Sequence, residues 1–235
     1  MKCYILLFGE AFREGNQGTR IRDLDTSYDN QINAAKSQMS FIQNLNNNNI
    51  DVKVFISSYD TKFKTNLLNI YNNNLINYDF YSKLIGQGKL IHNAIDKIQN
   101  ISQYDFLLIM RIDLFLKDKF TEIFNPKWDK IMWPSICFKP YHKCGLHPRV
   151  NDMIIFIPKK YYKYLKQLNY NDTGHEQWSY FITKTDLTYN DLDTMLNTYH
   201  DSDSAKDFNP IYYIVNRSES TEHHNKDEIF DKTTF

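Results

Sequence analysis

Arg111 and Asp113 flank Ile112 directly after the most apolar stretch of the chain, Tyr104-Asp105-Phe106-Leu107-Leu108-Ile109-Met110. Charge at the mouth of a buried strand is costly unless it is paired or solvated, so this is a place to look for chemistry. A second group follows the first apolar run, Tyr4 to Phe8: Gly9, then Arg13, Gly15, Gly18, Arg20 and Arg22 in a polar stretch that reaches Tyr28. Guanidinium groups offer a fixed fork of N–H donors that matches phosphate oxygens. The bland alternative for each arginine is a solvated place in a long loop. Gly15-Asn16-Gln17-Gly18 lacks the third glycine and the immediate helix of a dinucleotide-binding turn, and it is not a P-loop. A third polar group, Ser57-Ser58-Tyr59-Asp60-Thr61, closes the second apolar run. Cys137, Cys144 and His147 carry soft-ligand chemistry, but C-x6-C-x2-H supplies three ligands and lacks the tight pair of a zinc knuckle.

The elements that position these residues are read from hydrophobic period. Tyr4 to Phe8 and Val52 to Ile56 are short continuous apolar runs, the pattern of strands buried on both faces. Between them Ile32, Ala35, Met39, Ile42 and Leu45 fall at spacings of three and four and predict one helix face, ending in Asn46 to Asn49. Strand, helix, strand with so long a crossover implies parallel pairing. Helices are predicted from Thr61 to Tyr71 and from Gly86 to Gln99, with a short third strand, Leu75 to Phe80, between them. Tyr104 to Met110 reads as the central strand, and Ile131-Met132-Trp133 and Met153 to Ile157 as later ones. Lys159 to Leu168, His175 to Thr183 and Leu187 to Met195 read as helices, and Ile211 to Val215 as a last strand. There is no internal repeat and no linker.

Composition narrows the field. The chain has 235 residues, enough to bury a core without disulfide or metal staples. Lys plus Arg and Asp plus Glu are both 28, so the formal charge of +0 gives no field to draw nucleic acid or an anionic membrane. No apolar run approaches the roughly 20 residues of a membrane span. Three widely spread cysteines do not form an extracellular framework, which favours a reducing compartment and the cytoplasm. The expectation is one α/β domain with a mainly parallel central sheet flanked by helices and a less regular C-terminal half.

In open α/β sheets ligands bind beyond the carboxyl ends of the strands, and three such ends carry the polar groups above. A strand opening on Gly-Glu-x-x-Arg, a strand closing on Ser-Tyr-Asp-Thr, and Tyr-Asp-Phe-Leu-Leu-Ile-Met-Arg-Ile-Asp-Leu at 104 to 114 resemble nucleotide-sugar-dependent glycosyltransferases of the GT-A fold. Within that family they are similar to the small cytosolic types of large DNA viruses and bacterial polysaccharide loci, over roughly residues 1 to 185 in element order. The resemblance implies a GT-A-like, Rossmann-like domain over 1–217, with a nucleotide-binding half at 1–120, an acceptor half at 121–217 and a polar tail at 218–235. It implies a nucleotide-sugar donor, a UDP-sugar, and a saccharide acceptor, in the cytoplasm, or the host cytoplasm for a viral protein. In the family an Asp-x-Asp pair holds a divalent cation against the donor diphosphate. Here Arg111 replaces the first carboxylate and Asp113 keeps the second position. Two arrangements follow: a Mn or Mg site on Asp113 with a further ligand such as His200, or a metal-free site in which Arg111 meets the diphosphate.

The resemblance also assigns donor contacts to Gly9, Arg13, Arg20, Arg22, Asp60, Lys89, Asn151 and Asp152. It makes Glu176, next to His175, the base of an inverting transfer, with Asp152 as sugar binder or second choice of base. Each residue has a plainer reading. Arg111 and Asp113 suit a structural ion pair, Asp60 a helix cap shared with Thr61, and Glu176 a first-turn acid that complements a helix dipole. On the enzymatic reading, alanine at Arg111 or Asp113 lowers turnover and leaves unfolding nearly intact. A non-catalytic nucleotide-sugar or glycan binding module and a nucleotidyltransferase are the alternatives.

Overall fold

The computed structural model describes residues 1–15, 21–137, 150–167, 177–196, 199–200 and 209–216. Elements run in the order β1 (Lys2–Gly9), β2 (Arg13–Glu14), β3 (Ile21–Arg22), α1 (Tyr28–Asn47), β4 (Asp51–Tyr59), α2 (Lys64–Tyr71), β5 (Leu75–Tyr81), α3 (Gln87–Lys97), β6 (Phe106–Arg111), β7 (Leu114–Leu116) and α4 (Asp118–Ile123). There follow β8 (Ile131–Trp133), β9 (Ile136–Cys137), β10 (Ile154–Pro158), a 3-10 segment (Lys159–Gln167), α5 (Gln177–Lys184), β11 (Leu192–Thr194), β12 (Tyr199–His200) and β13 (Tyr212–Ile214).

Seven strands form one sheet in the order β11-β8-β10-β6-β1-β4-β5. β1 lies parallel between β4 and β6, and β5 extends the parallel set beyond β4. β10 alone runs against its neighbours β6 and β8, and β11 is parallel to β8. This is the mainly parallel α/β sheet expected from the sequence, with β6 in the middle.

Successive side chains of a strand point to opposite faces, and both faces of this sheet are covered. Cys3, Ile5 and Leu7 of β1 join Phe41 and Ile42 of α1, Leu67 of α2 and Phe120 of α4 in one core layer. Tyr4, Leu6 and Phe8 join Ile91 and Ala94 of α3, Tyr161 and Leu165 of the 3-10 segment and Phe181 of α5 in the other. β1 and β6 are therefore buried along almost their whole length, which explains their unbroken apolar runs.

Two expectations need correction. The helix predicted over Leu187 to Met195 is a 3-10 turn, Tyr189–Asp191, followed by β11. Thr188 and Asp191 close a reciprocal capping box over that turn, and Leu192-Asp193-Thr194 then alternates buried, half-buried, buried beside Ile131–Trp133. That is a strand period. The last strand expected at Ile211 to Val215 is β13; it lies outside the seven-stranded sheet and pairs antiparallel with β7, a segment to which the sequence reading gave no element. The buried stripe of α1 is turned relative to the predicted face: Gln31, Ala34, Ala35, Gln38, Phe41, Ile42 and Leu45 are buried, while Ile32 and Met39 are half-buried.

Candidate active site

β1 connects outward through α1 to β4 and on to β5, and the chain then crosses back through α3 to β6 on the other side of β1. The order of strands reverses between β1 and β6, and a crevice opens beyond their carboxyl ends at such a point. Gly9 turns the chain off β1 at φ 116°, a conformation that strains any residue with a Cβ even though Ile112 would stand 3.9 Å from one added there. The carbonyl of Gly9 accepts a hydrogen bond from the buried Ser58 hydroxyl at 2.7 Å, which locks the ends of β1 and β4 together.

Four charged side chains meet at this reversal. Arg111 forks onto Asp113, with Nε to Oδ1 at 2.8 Å and Nη2 to Oδ2 at 2.5 Å. Arg13, which opens β2, brings its Nε to 3.7 Å from the same Oδ2 and its Nη1 to 3.7 Å from Oε2 of Glu10. All four are buried, Asp113 to 1% exposure. Two guanidinium and two carboxylate groups alternate in sign, which is the condition for keeping such charges out of water. The ion pair that the sequence allowed between Arg111 and Asp113 therefore exists.

A cleft of about 240 Å³ lies against this cluster, lined by Gly9, Glu10, Arg13 and Arg111 on one side and by Tyr59, Leu84, Gly86, Gln87 and Leu90 on the other. The second wall includes the N-terminal end of α3, which has no side-chain cap, so its first-turn N–H groups are without helical acceptors there. Gly86 donates its N–H to the Tyr59 hydroxyl at 3.2 Å. Burial holds the Tyr59 phenol above its ordinary range, against the pull of the Ile85 and Gly86 backbone and of Arg22. The Arg22 guanidinium lies 5.6 Å from the centre of the Tyr59 ring, and its buried Nη1 has no hydrogen-bond partner among the described residues.

Gly9, Arg13 and Arg111 thus line one cleft, Asp113 is tied to it through both arginines, and Arg22 reaches its Tyr59 wall. Asp152 is buried at the same end of the sheet, because β10 runs in reverse and Met153 accepts the N–H of Arg111 at 3.0 Å. Its neighbour Asn151 is fully buried, accepts from Met153 N at 3.0 Å and donates to the Tyr212 hydroxyl. Asp60 and Lys89 are exposed and do not line the cleft. Asp60 is not a helix cap either: Phe63 occupies that position of α2, and Thr61 accepts the Phe63 N–H at 3.1 Å. Arg20, His175, Glu176, Cys144, His147 and the tail at 218–235 lie outside the described residues, as do the side chains of Cys137 and His200.

The fit of a divalent cation can be judged from the donors. Both oxygens of Asp113 face guanidinium groups, and no group of three His, Cys, Asp or Glu side chains that could hold a metal exists among the described residues. These residues do not fit Mn or Mg, which want several unencumbered oxygens.

Sequence reasoning quoted Glu10 and Tyr59 within its motifs without giving them a role, and it missed Gln31 and Gln38. Gln31 and Gln38 are wholly buried on the face of α1 that meets the corner between β6 and β7. Gln38 Nε2 donates to the Leu114 carbonyl at 2.7 Å, and its Oε1 accepts the Tyr71 hydroxyl at 2.7 Å. The legible signal was two glutamines seven residues apart beside an otherwise apolar stripe.

No family model matches the chain, and no curated protein matches it. Among solved structures, it aligns over 99% of its length with 78% of Drosophila beta-1,4-galactosyltransferase 7, a mutant in complex with manganese, UDP-Gal and xylobiose, at 13% identity and a TM-score of 0.47. It aligns over 84% of its length with 46% of the glycosyltransferase GlyE of Streptococcus pneumoniae, at 11% identity and a TM-score of 0.44. The chain is similar to glycosyltransferases. It spans less than half the length of the pneumococcal protein. It is also similar to 4-diphosphocytidyl-2C-methyl-D-erythritol synthase of Anaerococcus prevotii, at 12% identity and a TM-score of 0.48 over 81% of this chain and 87% of that one. Likenesses at these scores say nothing about chemistry, which rests on the cleft.

Proposed function

We propose that the protein is a glycosyltransferase of the GT-A type that takes a sugar from a nucleotide-diphosphate donor, a UDP-sugar, and passes it to a saccharide hydroxyl. The observation that supports this is the meeting of Arg13 and Arg111 with the uncapped start of α3 on one cleft at the switch point of the sheet. Breaking a sugar–diphosphate bond places negative charge on the departing nucleotide, and donors fixed in advance stabilise it without reorganising. Asp113 fixes the plane of the Arg111 guanidinium and, with Glu10, holds Arg13 beside it. The helix end adds fixed partial positive charge on the opposite wall. In this reading the two guanidinium groups neutralise the leaving diphosphate in place of Mn or Mg.

In this reading residues 1–120 are the nucleotide-binding half and 121–217 the acceptor half of one domain. An inverting transfer needs a base for the attacking hydroxyl. Asp152 is at the correct end of the sheet for it, and Glu176 is the other candidate. The three scattered cysteines suit a reducing compartment such as the cytoplasm.

Titration calorimetry with UDP and UDP-sugars, in EDTA and then in Mn, followed by an assay of donor hydrolysis, tests the proposal. The expected result is UDP binding that EDTA leaves intact and slow hydrolysis of one donor. Binding without hydrolysis would mark a non-catalytic module, and pyrophosphate release from a nucleoside triphosphate a nucleotidyltransferase. A chain that binds neither UDP nor any UDP-sugar refutes it.

A further inference from the structure

Between Glu10 and Arg13 the backbone makes an unusual turn. Phe12 stands at φ 54°, a left-handed conformation that is uncommon for a bulky residue. Such a conformation persists only where the surroundings over-determine it, and here they do. The Phe12 ring is fully buried, 4.9 Å from the Phe63 ring and 5.9 Å from Tyr28. Its carbonyl accepts the N–H of Asp23 at 2.9 Å, and its own N–H donates to Oε1 of Gln31 at 3.2 Å. The other end of the same amide, Nε2 of Gln31, donates to the carbonyl of Ile112 at 2.8 Å.

One buried amide thus spans two loops. Phe12 directly precedes Arg13, and Ile112 lies between Arg111 and Asp113. Those loops leave different strands, and the charges on them stand 3.7 Å apart across the cluster. The carboxamide serves both partners because it carries an acceptor for the Phe12 N–H and a donor for the Ile112 C=O on one rigid plane. Gln38, two turns further along α1, grips the same corner, its Nε2 donating to the Leu114 carbonyl at 2.7 Å and, over longer distances, to those of Ile112 at 3.3 Å and Arg111 at 3.4 Å, but among the described residues it makes no bond to the Arg13 loop.

We infer that Gln31 is a positioning residue that sets the separation of Arg13 from the Arg111–Asp113 pair by bridging the two loops that carry them. It acts through those side chains and does not line the cleft. The consequence for ligand binding rests on the proposed diphosphate site; the bridge itself does not. Loss of the bridge frees the strained turn at Phe12, so the two guanidinium groups no longer arrive at a fixed spacing.

Hydrogen exchange resolved by peptide, with UDP as the probe ligand, tests this on the full chain. Gln31→Met keeps the volume and removes both bonds. It should speed exchange in residues 9–15 and 111–116 together and weaken UDP binding about tenfold. Gln38→Met should loosen 111–116 and leave 9–15 as in the native protein. Gln31→Glu keeps the acceptor for Phe12 but donates to Ile112 only when its carboxyl is protonated. Its protection of 111–116 and its UDP affinity should therefore recover as pH falls, a profile that the native chain lacks. Exchange that rises in only one segment of Gln31→Met, or uniformly across the protein, overturns the inference, as does native UDP affinity in that variant. If Gln31→Met fails to fold, the pH profile of Gln31→Glu decides. If the native chain binds no UDP, the proposed function fails while the exchange pattern still decides the bridge.

Discussion

Replacing Asp113 by alanine tests the charge cluster most directly. The carboxylate is 1% exposed, it receives two bonds from Arg111, and Arg13 stands 3.7 Å away. Its removal leaves two buried guanidinium groups facing each other, with Glu10 the only one of the four groups still opposing them. Breaking a buried pair from one side costs about 3–5 kcal/mol, most of it the penalty of the stranded charge. Against a typical stability of about 5–15 kcal/mol this is a large loss. Arg111→Ala should cost less, because Asp113 keeps Arg13 as a partner. The assay is urea unfolding at neutral pH, followed by two probes to confirm a single transition. Pyrophosphate provides the second arm: an anion that takes the place of the carboxylate between the arginines should restore about 2.7 kcal/mol to Asp113→Ala at a concentration a hundredfold above its dissociation constant. It should do little for Arg111→Ala. If Asp113→Ala unfolds within about 0.5 kcal/mol of the native chain, the range of an ordinary surface change, the cluster is not a buried, coupled unit.

Two further outcomes follow from the geometry. Tyr59→Phe removes the acceptor of the Gly86 N–H, which should lower stability by about 0.5–1.5 kcal/mol and weaken UDP binding, read by thermal unfolding and calorimetry; native UDP affinity would detach that wall from the ligand. The Asp191 carboxyl is held below its ordinary range, first by the Thr188 backbone N–H and then by the Thr188 and Tyr161 hydroxyls. Its contribution is therefore present above the usual aspartate range and lost as pH falls through the depressed value. Asp191→Ala should cost about 1 kcal/mol near neutral pH and flatten the acid limb of a stability–pH curve. An unchanged limb would refute that assignment.

Much of the architecture was legible because burial on both faces writes continuous apolar runs into β1, β4 and β6. The site was legible in part for the same reason: Arg13, Arg111 and Asp113 stand out where those runs end. Partnership was not legible. Sequence alone suggested that Arg111 and Asp113 could be removed with little effect on unfolding, since nothing in a string of residues tells a solvated charge from one locked between two others. β11 was misread because three residues carry too little period to separate strand from helix, and pairing with β8 decided it. Gln31 escaped notice because a glutamine in a helix ordinarily means a solvated face, and here the backbone of two loops stands where water would be. Asp60 stood out through its motif, whereas the cleft wall is lined by its neighbour Tyr59, whose place only the folded chain shows.

The reversed strand β10 has an architectural consequence. Because it enters the sheet where its parallel neighbours leave it, the connection from Trp133 to Ile154 departs from and returns to the pole that bears the arginines. Extra residues placed directly after Trp133 or directly before Ile154 would emerge at that pole and leave the register of the seven-stranded sheet unchanged, whereas extra residues placed just after Pro158 would emerge at the opposite pole. Under the proposed glycosyl transfer, a variant meant to accept a bulkier sugar or polymer should therefore be diversified beside those two strand ends first.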